Sequence, residues 1–319
     1  MKLGIIGSGK IVHDFLTALP IPGLELAAIA TTKRSAQVGQ DLAKKYHIHK
    51  CYDDYLEMLK DPDVDTVYVA TPPSMHYQMC RDSLEAGKNV ICEKPFVFTP
   101  DEALDLKKTA DKHSGLIAEA ITTVYLPNFQ ALQKDLAKIG PVHVVSLNYT
   151  QYSSRYDAFL QGEILPAFNP KLGGGALLDL NVYNIHLATA LFGAPKAVHY
   201  YPNMQKNVDT SGILILTYED KQATLTAAKD SQAFFKNQSL IAGEKGFISF
   251  AGSPGALASY RLDLGEGQDE EKKLSVKHRM IPEFAAFVQM MDNRDQLACD
   301  RAFQHSLEVI QVLNNAQND

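Results

Sequence analysis

Several features that would assign the chain to a class of protein are missing. Its 319 residues carry 31 Lys and Arg against 37 Asp and Glu, a formal net charge of −6, so it has no basic surplus of the kind that attracts nucleic acid or an anionic membrane. No window approaches the roughly 18 apolar residues of a membrane span, and the N-terminus has no apolar core with a small-residue cleavage site. We therefore predict a cytoplasmic protein that binds neither nucleic acid nor membrane.

Cysteine is scarce and shows no metal-binding pattern. Cys51, Cys80, Cys92 and Cys299 are scattered along the chain. None forms a Cys-x-x-Cys pair, and none has a histidine at zinc spacing. We predict reduced, mostly buried thiols and no metal site.

The first 121 residues alternate between short β-branched apolar runs and amphipathic stretches, the pattern of strands joined by crossover helices. The sequence predicts strands at 3–6, 24–30, 50–52, 66–70, 90–92 and 116–120. It predicts helices at 10–19, 34–46, 54–60, 74–86 and 100–114. This order indicates a Rossmann domain with a doubly wound parallel sheet over residues 1–121.

The pattern changes after Pro127, where strands follow one another with short turns between them. Predicted alternating segments lie at 142–152, 197–204, 211–219, 222–229, 238–250, 258–264 and 272–277, with hairpin turns at 219–221 and 243–246. Predicted helices lie at 129–138, from Gly175 to Gly193, and at 282–292 and 301–315. Strands in such a series form a largely antiparallel sheet. We predict that residues 122–319 form an α+β domain with a large, mostly antiparallel open sheet, for substrate binding and oligomerisation.

A glycine pair follows the first predicted strand. Gly7-Ser8-Gly9 lies where that strand gives way to a helix, and there a tight turn lets backbone N–H groups meet a pyrophosphate. The third small position of the dinucleotide fingerprint is Val12, a larger side chain that would push the helix away from the strand. The position of the pair still favours a dinucleotide site.

The end of the second strand indicates which dinucleotide binds. An NAD enzyme usually has a carboxylate there to accept from the ribose 2′-hydroxyl, but this chain has Thr32, Lys33 and Arg34. Cations and hydroxyls suit a 2′-phosphate better, because they form charge-assisted hydrogen bonds to it. We predict NADP as the preferred cofactor, with NAD as the alternative; otherwise Lys33 and Arg34 are only the solvated first turn of a helix.

Two further segments carry residues capable of chemistry. Glu93-Lys94-Pro95 follows the fifth strand, at the sheet edge where open α/β folds contact ligands. In the helix after Gly175, Asp179, Tyr183 and His186 are spaced i, i+4 and i+7, which predicts one shared face on a helix that is otherwise apolar. Such a polar stripe either meets partners in the core or lines a cleft.

These segments together resemble the Gfo/Idh/MocA oxidoreductase family over nearly the whole chain. The resemblance rests on four motifs in this order: Gly7-Ser8-Gly9-Lys10-Ile11, Ala70-Thr71-Pro72-Pro73-Ser74-Met75-His76, Glu93-Lys94-Pro95 and Gly173-Gly174-Gly175-Ala176-Leu177-Leu178-Asp179. Tyr183, the fourth residue after the aspartate, is similar to the branch of glucose-fructose oxidoreductase, dimeric dihydrodiol dehydrogenase and NADP-linked xylose dehydrogenase. The chain departs from the family pattern at Val12, Asn181 and Val124.

The resemblance implies hydride transfer between a nicotinamide and a sugar, polyol or diol-like substrate. It implies Tyr183 as acid/base, assisted by Lys94, with Asp179 orienting Lys94 or binding a substrate hydroxyl and His186 as the second-choice base. A free phenol titrates near pH 10, so ionising it at pH 7 costs about 4 kcal/mol, and a neighbouring ammonium lowers that cost. The expected cofactor-binding residues are Gly7, Ser8, Gly9, Lys10, Ile11, Thr32, Lys33, Arg34, Thr71, Pro72, His76, Glu93 and Lys94.

The resemblance also leaves two other functions open and predicts an assembly. The same fold serves as a non-catalytic dinucleotide-sensing regulator, which could lose the lysine and tyrosine, and as a glycosidase that uses held NAD for a transient oxidation. The presence of Lys94, Asp179 and Tyr183 favours the dehydrogenase. Because the open sheet face is commonly an interface in such folds, we expect a homo-oligomer, either a dimer or a tetramer.

Overall fold

The computed structural model describes residues 1–232, 238–265 and 267–319. Contacts between Cα atoms divide the chain into two units. The first consists of Met1–Ala120 and Lys277–Leu307, and the second of Ile121–Val276 and Glu308–Asp319. Residues 277–307 thus group with the first unit, whereas the sequence prediction assigned all of 122–319 to a second domain.

The first unit contains a six-stranded, all-parallel sheet in the order β3-β2-β1-β4-β5-β6. Its strands are β1 (Lys2–Ile6), β2 (Glu25–Ala30), β3 (Lys50–Tyr52), β4 (Thr66–Val69), β5 (Asn89–Glu93) and β6 (Ile117–Ala120). Strands buried on both faces have nearly continuous apolar runs, which is why β1, β2, β4, β5 and β6 were predictable, whereas the edge strand β3 is largely exposed. The strand order reverses between β1 and β4, so a crevice forms beyond their carboxyl ends. The predicted doubly wound sheet is confirmed.

Five helices connect these strands: α1 (Lys10–Thr17), α2 (Ala36–Tyr46), α3 (Tyr55–Leu59), α4 (His76–Glu85) and α5 (Pro100–Lys112). The start of α5 shows how local sequence sets a helix end. The Thr99 hydroxyl accepts from the Glu102 N–H at 3.2 Å, and the Glu102 carboxylate accepts from the Thr99 N–H at 3.2 Å. With Pro100 as the first helical residue, this is a capping box, and it stops the helix from starting earlier.

The second unit contains an eight-stranded sheet in the order β14-β13-β12-β11-β7-β10-β9-β8. The strands are β7 (Val142–Thr150), β8 (Ala197–Gln205), β9 (Val208–Thr217), β10 (Gln222–Ala228), β11 (Ser239–Gly243), β12 (Gly246–Phe250), β13 (Tyr260–Asp263) and β14 (Asp269–Lys272). Only the β7–β10 pair is parallel among these neighbours. The predicted mostly antiparallel sheet is confirmed.

One strand prediction in this unit was wrong. The alternating residues at 272–277 were expected to form a strand, but β14 ends at Lys272, where it pairs with Tyr260. The polar run Asp269–Lys272 pairs instead with Tyr260–Asp263 of β13. Because β14 is an exposed edge strand, it has no apolar alternation to reveal it.

The remaining helices are α6 (Thr122–Tyr125), α7 (Pro127–Asp135), α8 (Tyr156–Leu160), α9 (Val182–Phe192), α10 (Met280–Asp292) and α11 (Gln296–Gln317). Helix α10 packs within the first unit against residues of α1 and β4 through aromatic rings. The Phe284 ring lies 4.2 Å from the Phe15 ring and 5.2 Å from the Tyr68 ring, measured between centroids. This burial explains why residues 277–307 group with the Rossmann sheet, since sequence separation does not limit apolar packing.

Two classes of feature are not found in the described part of the chain. No helix there has the length and apolarity needed to cross a membrane. No group of three or more His, Cys, Asp or Glu side chains there could hold a metal ion.

Candidate active site

The turn after β1 is shaped by glycine. Gly7 has a φ of +120°, and a Cβ atom on it would overlap the carbonyl oxygen of Ala70, at the end of β4. Its N–H donates to the Ala30 carbonyl at 2.9 Å. An L side chain at this position would be both strained and obstructed. Gly7 therefore brings the turn against the ends of the two neighbouring strands.

The N-terminus of α1 is open. Gly9 is its N-cap residue, no side chain caps it, and a Cβ atom on Gly9 would meet nothing within 4 Å. Uncapped N–H groups at a helix start are a ready site for an anion such as a pyrophosphate. The side chains of Ser8 and Ile11 are half-buried and that of Lys10 is exposed. The turn thus has room for a dinucleotide.

Val12 is fully buried in this unit. Its larger side chain was expected to push α1 away from β1, and instead it forms part of the core. A larger residue at the third fingerprint position is therefore compatible with this Rossmann sheet.

Exposed cations follow β2. Thr32 begins a turn in which its N–H donates to the Ser35 hydroxyl at 3.2 Å, and the two hydroxyls lie 2.9 Å apart. Lys33 and Arg34 are exposed on this turn. Neither has an ion-pair partner within the described residues. Both are available to an external anion, while Thr32 and Ser35 fix the backbone from which they project.

His76 connects two of the predicted cofactor loops. Its ring is fully buried, with Nε2 2.9 Å from the Thr71 carbonyl oxygen and Nδ1 3.0 Å from that of Pro95 and 3.2 Å from that of Phe96. Burial lowers the pKa of His76. The structure gives His76 a role in holding the Thr71-Pro72 loop against the segment after Lys94. Its direct contact with a cofactor stays a prediction.

Lys94 lies between two anchored neighbours. The Glu93 carboxyl accepts from the Tyr68 hydroxyl at 2.5 Å and from the Lys94 N–H at 3.3 Å. On the other side, the Glu119 carboxyl accepts from the Phe96 N–H at 3.0 Å, and the Lys94–Pro95 peptide is cis. The half-buried Lys94 side chain therefore starts from a backbone that is fixed on both sides.

A buried carboxyl group in α10 lies beneath this segment, and sequence analysis missed it. Glu283 is 1% exposed, and neither of its carboxyl oxygens has a hydrogen-bond partner in the described structure. Burial, reinforced by the nearby Glu93 carboxyl, raises the pKa of Glu283 well above its usual range. Burial also raises the pKa of Glu93. In the sequence, Glu283 resembles any acidic residue in the first turn of a helix, so nothing predicts its burial.

In the second unit, the glycine triplet fits under a carboxylate. Gly175 has a φ of +121°, and a Cβ atom there would overlap the Asp209 carboxylate. That carboxylate is fixed, because it accepts from the Leu177 N–H at 2.7 Å and from the Tyr200 hydroxyl at 2.7 Å. Glycine at 175 therefore lets Asp209 anchor the first turn of the helical segment that contains Asp179.

The helical segment begins with a π-helical turn, Leu177–Asn181, before α9. The prediction of a shared face for Asp179, Tyr183 and His186 was based on a continuous α-helix. A π turn changes the angular spacing of side chains around the helix axis, and such turns often occur at functional sites. Between residues 177 and 189 only Asp179 and Tyr183 are partly exposed, whereas His186 is fully buried. Asp179 and Tyr183 are thus partly exposed, whereas His186, three residues after Tyr183 in α9, lies in the core. The role of His186 as a second-choice base stays a prediction.

Asp179 is bound by a lysine that sequence analysis did not identify. The Lys229 ammonium lies 2.7 Å from the Asp179 carboxylate and 2.5 Å from the Ala167 carbonyl oxygen. Lys229 directly follows β10 and is 1% exposed. We expected Asp179 to orient Lys94 or to bind a substrate hydroxyl. No local pattern predicts its bond to Lys229, 50 residues away in the chain.

The Tyr183 ring is held by packing on two sides. The Tyr149 ring meets it edge-on, with centroids 5.7 Å apart. On the other side is Gly255, where a Cβ atom would lie 2.7 and 2.8 Å from two carbons of the Tyr183 ring. The Gly255 carbonyl accepts from the Thr122 hydroxyl at 2.8 Å, so this backbone is itself fixed. Tyr183 is therefore a positioned, partly exposed phenol.

Comparison with known proteins identifies the class. Residues 1–121 match the model of an oxidoreductase family with an NAD-binding Rossmann fold, and residues 130–249 match that of the GFO/IDH/MocA C-terminal domain. The chain belongs to the GFO/IDH/MocA family of oxidoreductases, as the sequence motifs predicted. Its first unit is accordingly an NAD-binding Rossmann domain.

Individual relatives agree with this assignment. The chain is 38% identical over 251 residues to scyllo-inositol 2-dehydrogenase (NADP(+)) IolU of Bacillus subtilis, covering 78% of this chain and 75% of the relative. It is 30% identical over 288 residues to trans-1,2-dihydrobenzene-1,2-diol dehydrogenase of Xenopus tropicalis, covering 88% of this chain and 83% of that relative. Its fold is similar to that of KijD10, a 3-ketoreductase from Actinomadura kijaniata in complex with NADP and TDP-benzene, with a TM-score of 0.86 and 23% sequence identity. The match covers 100% of this chain and 97% of the KijD10 chain.

Proposed function

We propose that the protein is an NADP-preferring dehydrogenase that acts on a CH–OH group of a sugar, polyol or diol-like substrate. The observation that carries the proposal is the partial exposure of Asp179 and Tyr183 alone within an otherwise buried helical segment. A carboxylate and a phenol one turn apart can bind one hydroxyl and exchange the proton of another. The two relatives described above are named for a cyclic polyol and a cyclic diol, which supports this substrate class.

In this proposal the chain's own residues handle the proton and fix the geometry. Tyr183 accepts the hydroxyl proton in oxidation and returns it in reduction, and Lys94 supplies the ammonium that stabilises the phenolate. Asp179 accepts a hydrogen bond from a substrate hydroxyl. The bound nicotinamide supplies or receives the hydride. The reaction direction and the individual substrate are left to the assay.

The test is a screen of inositols, aldoses and trans-diols with NADP+ and NAD+, following the absorbance of the reduced nicotinamide. We expect Tyr183→Phe and Lys94→Ala each to lower kcat by about 10²-fold or more, with dinucleotide binding intact. Tyr149→Phe is the matched control, because it removes a phenol hydroxyl from the ring that packs on Tyr183. It should keep kcat within about threefold. A parent-like rate in Tyr183→Phe would reject the assigned role.

We assign the 2′-phosphate of NADP to Lys33 and Arg34. Both cations are exposed on the turn fixed by Thr32 and Ser35, and the relative at 38% identity is named as an NADP enzyme. A charge-assisted hydrogen bond contributes about 1.5–3 kcal/mol, so Arg34→Ala should raise the Kd of NADPH roughly 10- to 100-fold and leave that of NADH unchanged. Lys44→Ala, an exposed lysine later in α2, should change neither. Tighter binding of NADH by the parent would refute the assignment.

We also propose that the outer face of the eight-stranded sheet joins copies of the chain. Val144, Tyr201, Met204, Ile213 and Leu240 are exposed on its strands by 56%, 60%, 58%, 46% and 37%. Tyr201 and Ile213 are directly paired across two strands. Exposed apolar side chains grouped on one flat face are typical of an interface between proteins.

Light scattering after size exclusion tests this assembly. The parent should elute as a dimer or tetramer, and the double variant Val144→Lys/Ile213→Lys as a monomer, because two buried charges would face each other across the interface. Met75→Lys introduces the same charge at an exposed apolar residue of the first unit and should leave the mass unchanged. A monomeric parent would reject the proposal.

A further inference from the structure

The environment of Lys229 is unusual for a lysine. Its side chain is 1% exposed, and its ammonium lies 2.5 Å from the Ala167 carbonyl oxygen, 2.7 Å from the Asp179 carboxylate and 4.8 Å from the centre of the Phe168 ring. An ammonium removed from water costs several kcal/mol unless charge and hydrogen bonds compensate it. The Asp179 carboxylate at 2.7 Å supplies the bonded charge, and the Asp209 carboxyl group adds a longer-range attraction. Lys229 and Asp179 therefore depend on each other.

The backbone of Lys229 is also held in place. Its N–H donates to the Thr210 carbonyl at 2.8 Å, and its carbonyl accepts from the Ser153 N–H at 2.8 Å. The backbone from which the Lys229 side chain projects is thus fixed at the end of β10, and its ammonium donates to the Ala167 carbonyl oxygen. Such an arrangement restricts where the carboxylate that it binds can lie.

The Asp179 and Lys229 side chains differ in their exposure to solvent. The Asp179 side chain is 35% exposed, whereas the Lys229 side chain is 1% exposed. A small molecule arriving at the surface of this helical segment can therefore meet the carboxylate but not the ammonium. Lys229 acts on any such molecule only through Asp179.

We propose that Lys229 is a positioning residue for substrate recognition. It fixes the Asp179 carboxylate and keeps it ionised, so that Asp179 accepts a hydrogen bond from a substrate hydroxyl beside Tyr183. An ionised carboxylate accepts hydrogen bonds and donates none. The site therefore selects substrates that carry a second hydroxyl donor besides the reacting one, which is a diol or polyol. This inference rests on the proposed dehydrogenase function.

The primary test replaces Lys229 by Met, which has similar length and no charge. We expect KM for the polyol substrate to rise about 10-fold or more, as for a lost charge-assisted hydrogen bond, with a smaller change in kcat and an unchanged Kd for NADPH. The acid limb of the pH profile of kcat/KM should move to higher pH, because a carboxylate without its ammonium is protonated more readily. A merely structural role would not move that limb.

Lys206→Met is the matched control. The Lys206 ammonium also contacts two carbonyl oxygens, those of Phe159 at 2.7 Å and Leu160 at 2.9 Å, and lies 5.1 Å from the centre of the Phe159 ring. It has no carboxylate partner among the described residues. Its loss should leave KM and the pH profile within about twofold of the parent. Equal effects of Lys206→Met and Lys229→Met would overturn the proposal.

A double-mutant cycle shows whether Lys229 works through Asp179. Asp179→Asn should raise KM by itself, and adding Lys229→Met should change KM little further, since the carboxylate to be positioned is already gone. Additive effects would overturn the proposal. If Lys229→Met fails to fold, Lys229→Arg carries the test: it keeps the charge but alters the reach, so a raised KM with near-parental kcat supports the proposal and a parental KM rejects it. Absence of turnover in the parent would instead reject the proposed function.

Discussion

Glu283 provides a sharp test of the energetics of the Rossmann unit. Its carboxyl group is 1% exposed and lacks a hydrogen-bond partner in the described structure. Burial and the Glu93 and Glu119 carboxyls raise its pKa well above the usual range, and Arg279 opposes this only in part. The folded protein therefore holds a proton on Glu283 more tightly than the unfolded chain does.

The magnitude follows from linkage between protonation and folding. Glutamate in an unfolded chain titrates at about pH 4.3. Because the folded-state pKa is raised, the contribution of Glu283 to stability is fully present below that pH and is lost as the pH rises towards the folded-state pKa. The loss approaches about 1.36 kcal/mol per pH unit within this window. Glu283→Gln keeps the size and neutrality of the side chain and removes its titration.

The assay is urea denaturation at several pH values, followed by circular dichroism. Relative to the parent, Glu283→Gln should gain free energy of unfolding as the pH rises from 5 to 7, at a rate that does not exceed the slope above. The exposed Glu85, replaced by Gln, is the control and should show a difference within about 0.5 kcal/mol that does not vary with pH. A difference between Glu283→Gln and the parent that stays constant across this range would refute the reasoning.

Two glycine substitutions test the second unit. Gly175→Ala combines a positive φ with overlap of the Asp209 carboxylate, so it should lower the free energy of unfolding by roughly 3 kcal/mol or more. The control is Gly162→Ala, which has a φ of +97° and nothing within 4 Å of the added Cβ, and it should cost about 1 kcal/mol. Equal losses of the two variants in urea denaturation would contradict the role of the carboxylate. Gly255→Ala places a methyl group against the Tyr183 ring and should reduce kcat about 10-fold or more, since it displaces the proposed acid/base, and should cost about 1–3 kcal/mol of stability through overpacking. Steady-state kinetics measure this, and an unchanged kcat would show that the ring position does not matter.

The sequence alone was sufficient for the doubly wound parallel sheet of the Rossmann unit, the mostly antiparallel nature of the second sheet and the family. Each depends on local signals. The apolar runs of β1, β2, β4, β5 and β6 reflect burial on both faces, and Thr99 and Pro100 set the start of α5. Gly7 adopts a positive φ that glycine allows without strain. Each of these signals lies within a few consecutive residues, so it can be recognised without knowledge of the tertiary contacts.

The tertiary structure decided which charged groups are buried and what they meet. Lys229 reaches Asp179 across 50 residues of chain, and Glu283 lies near Glu93 although 190 positions separate them in the sequence. The Asp209 carboxylate anchors the helix start through the Leu177 N–H, and a π-helical turn that contains Asp179 then precedes α9 with Tyr183 and His186. The sequence carries no mark of these contacts, because the cost of burying a charge depends on the partners that the fold brings to it and not on its neighbours in the chain.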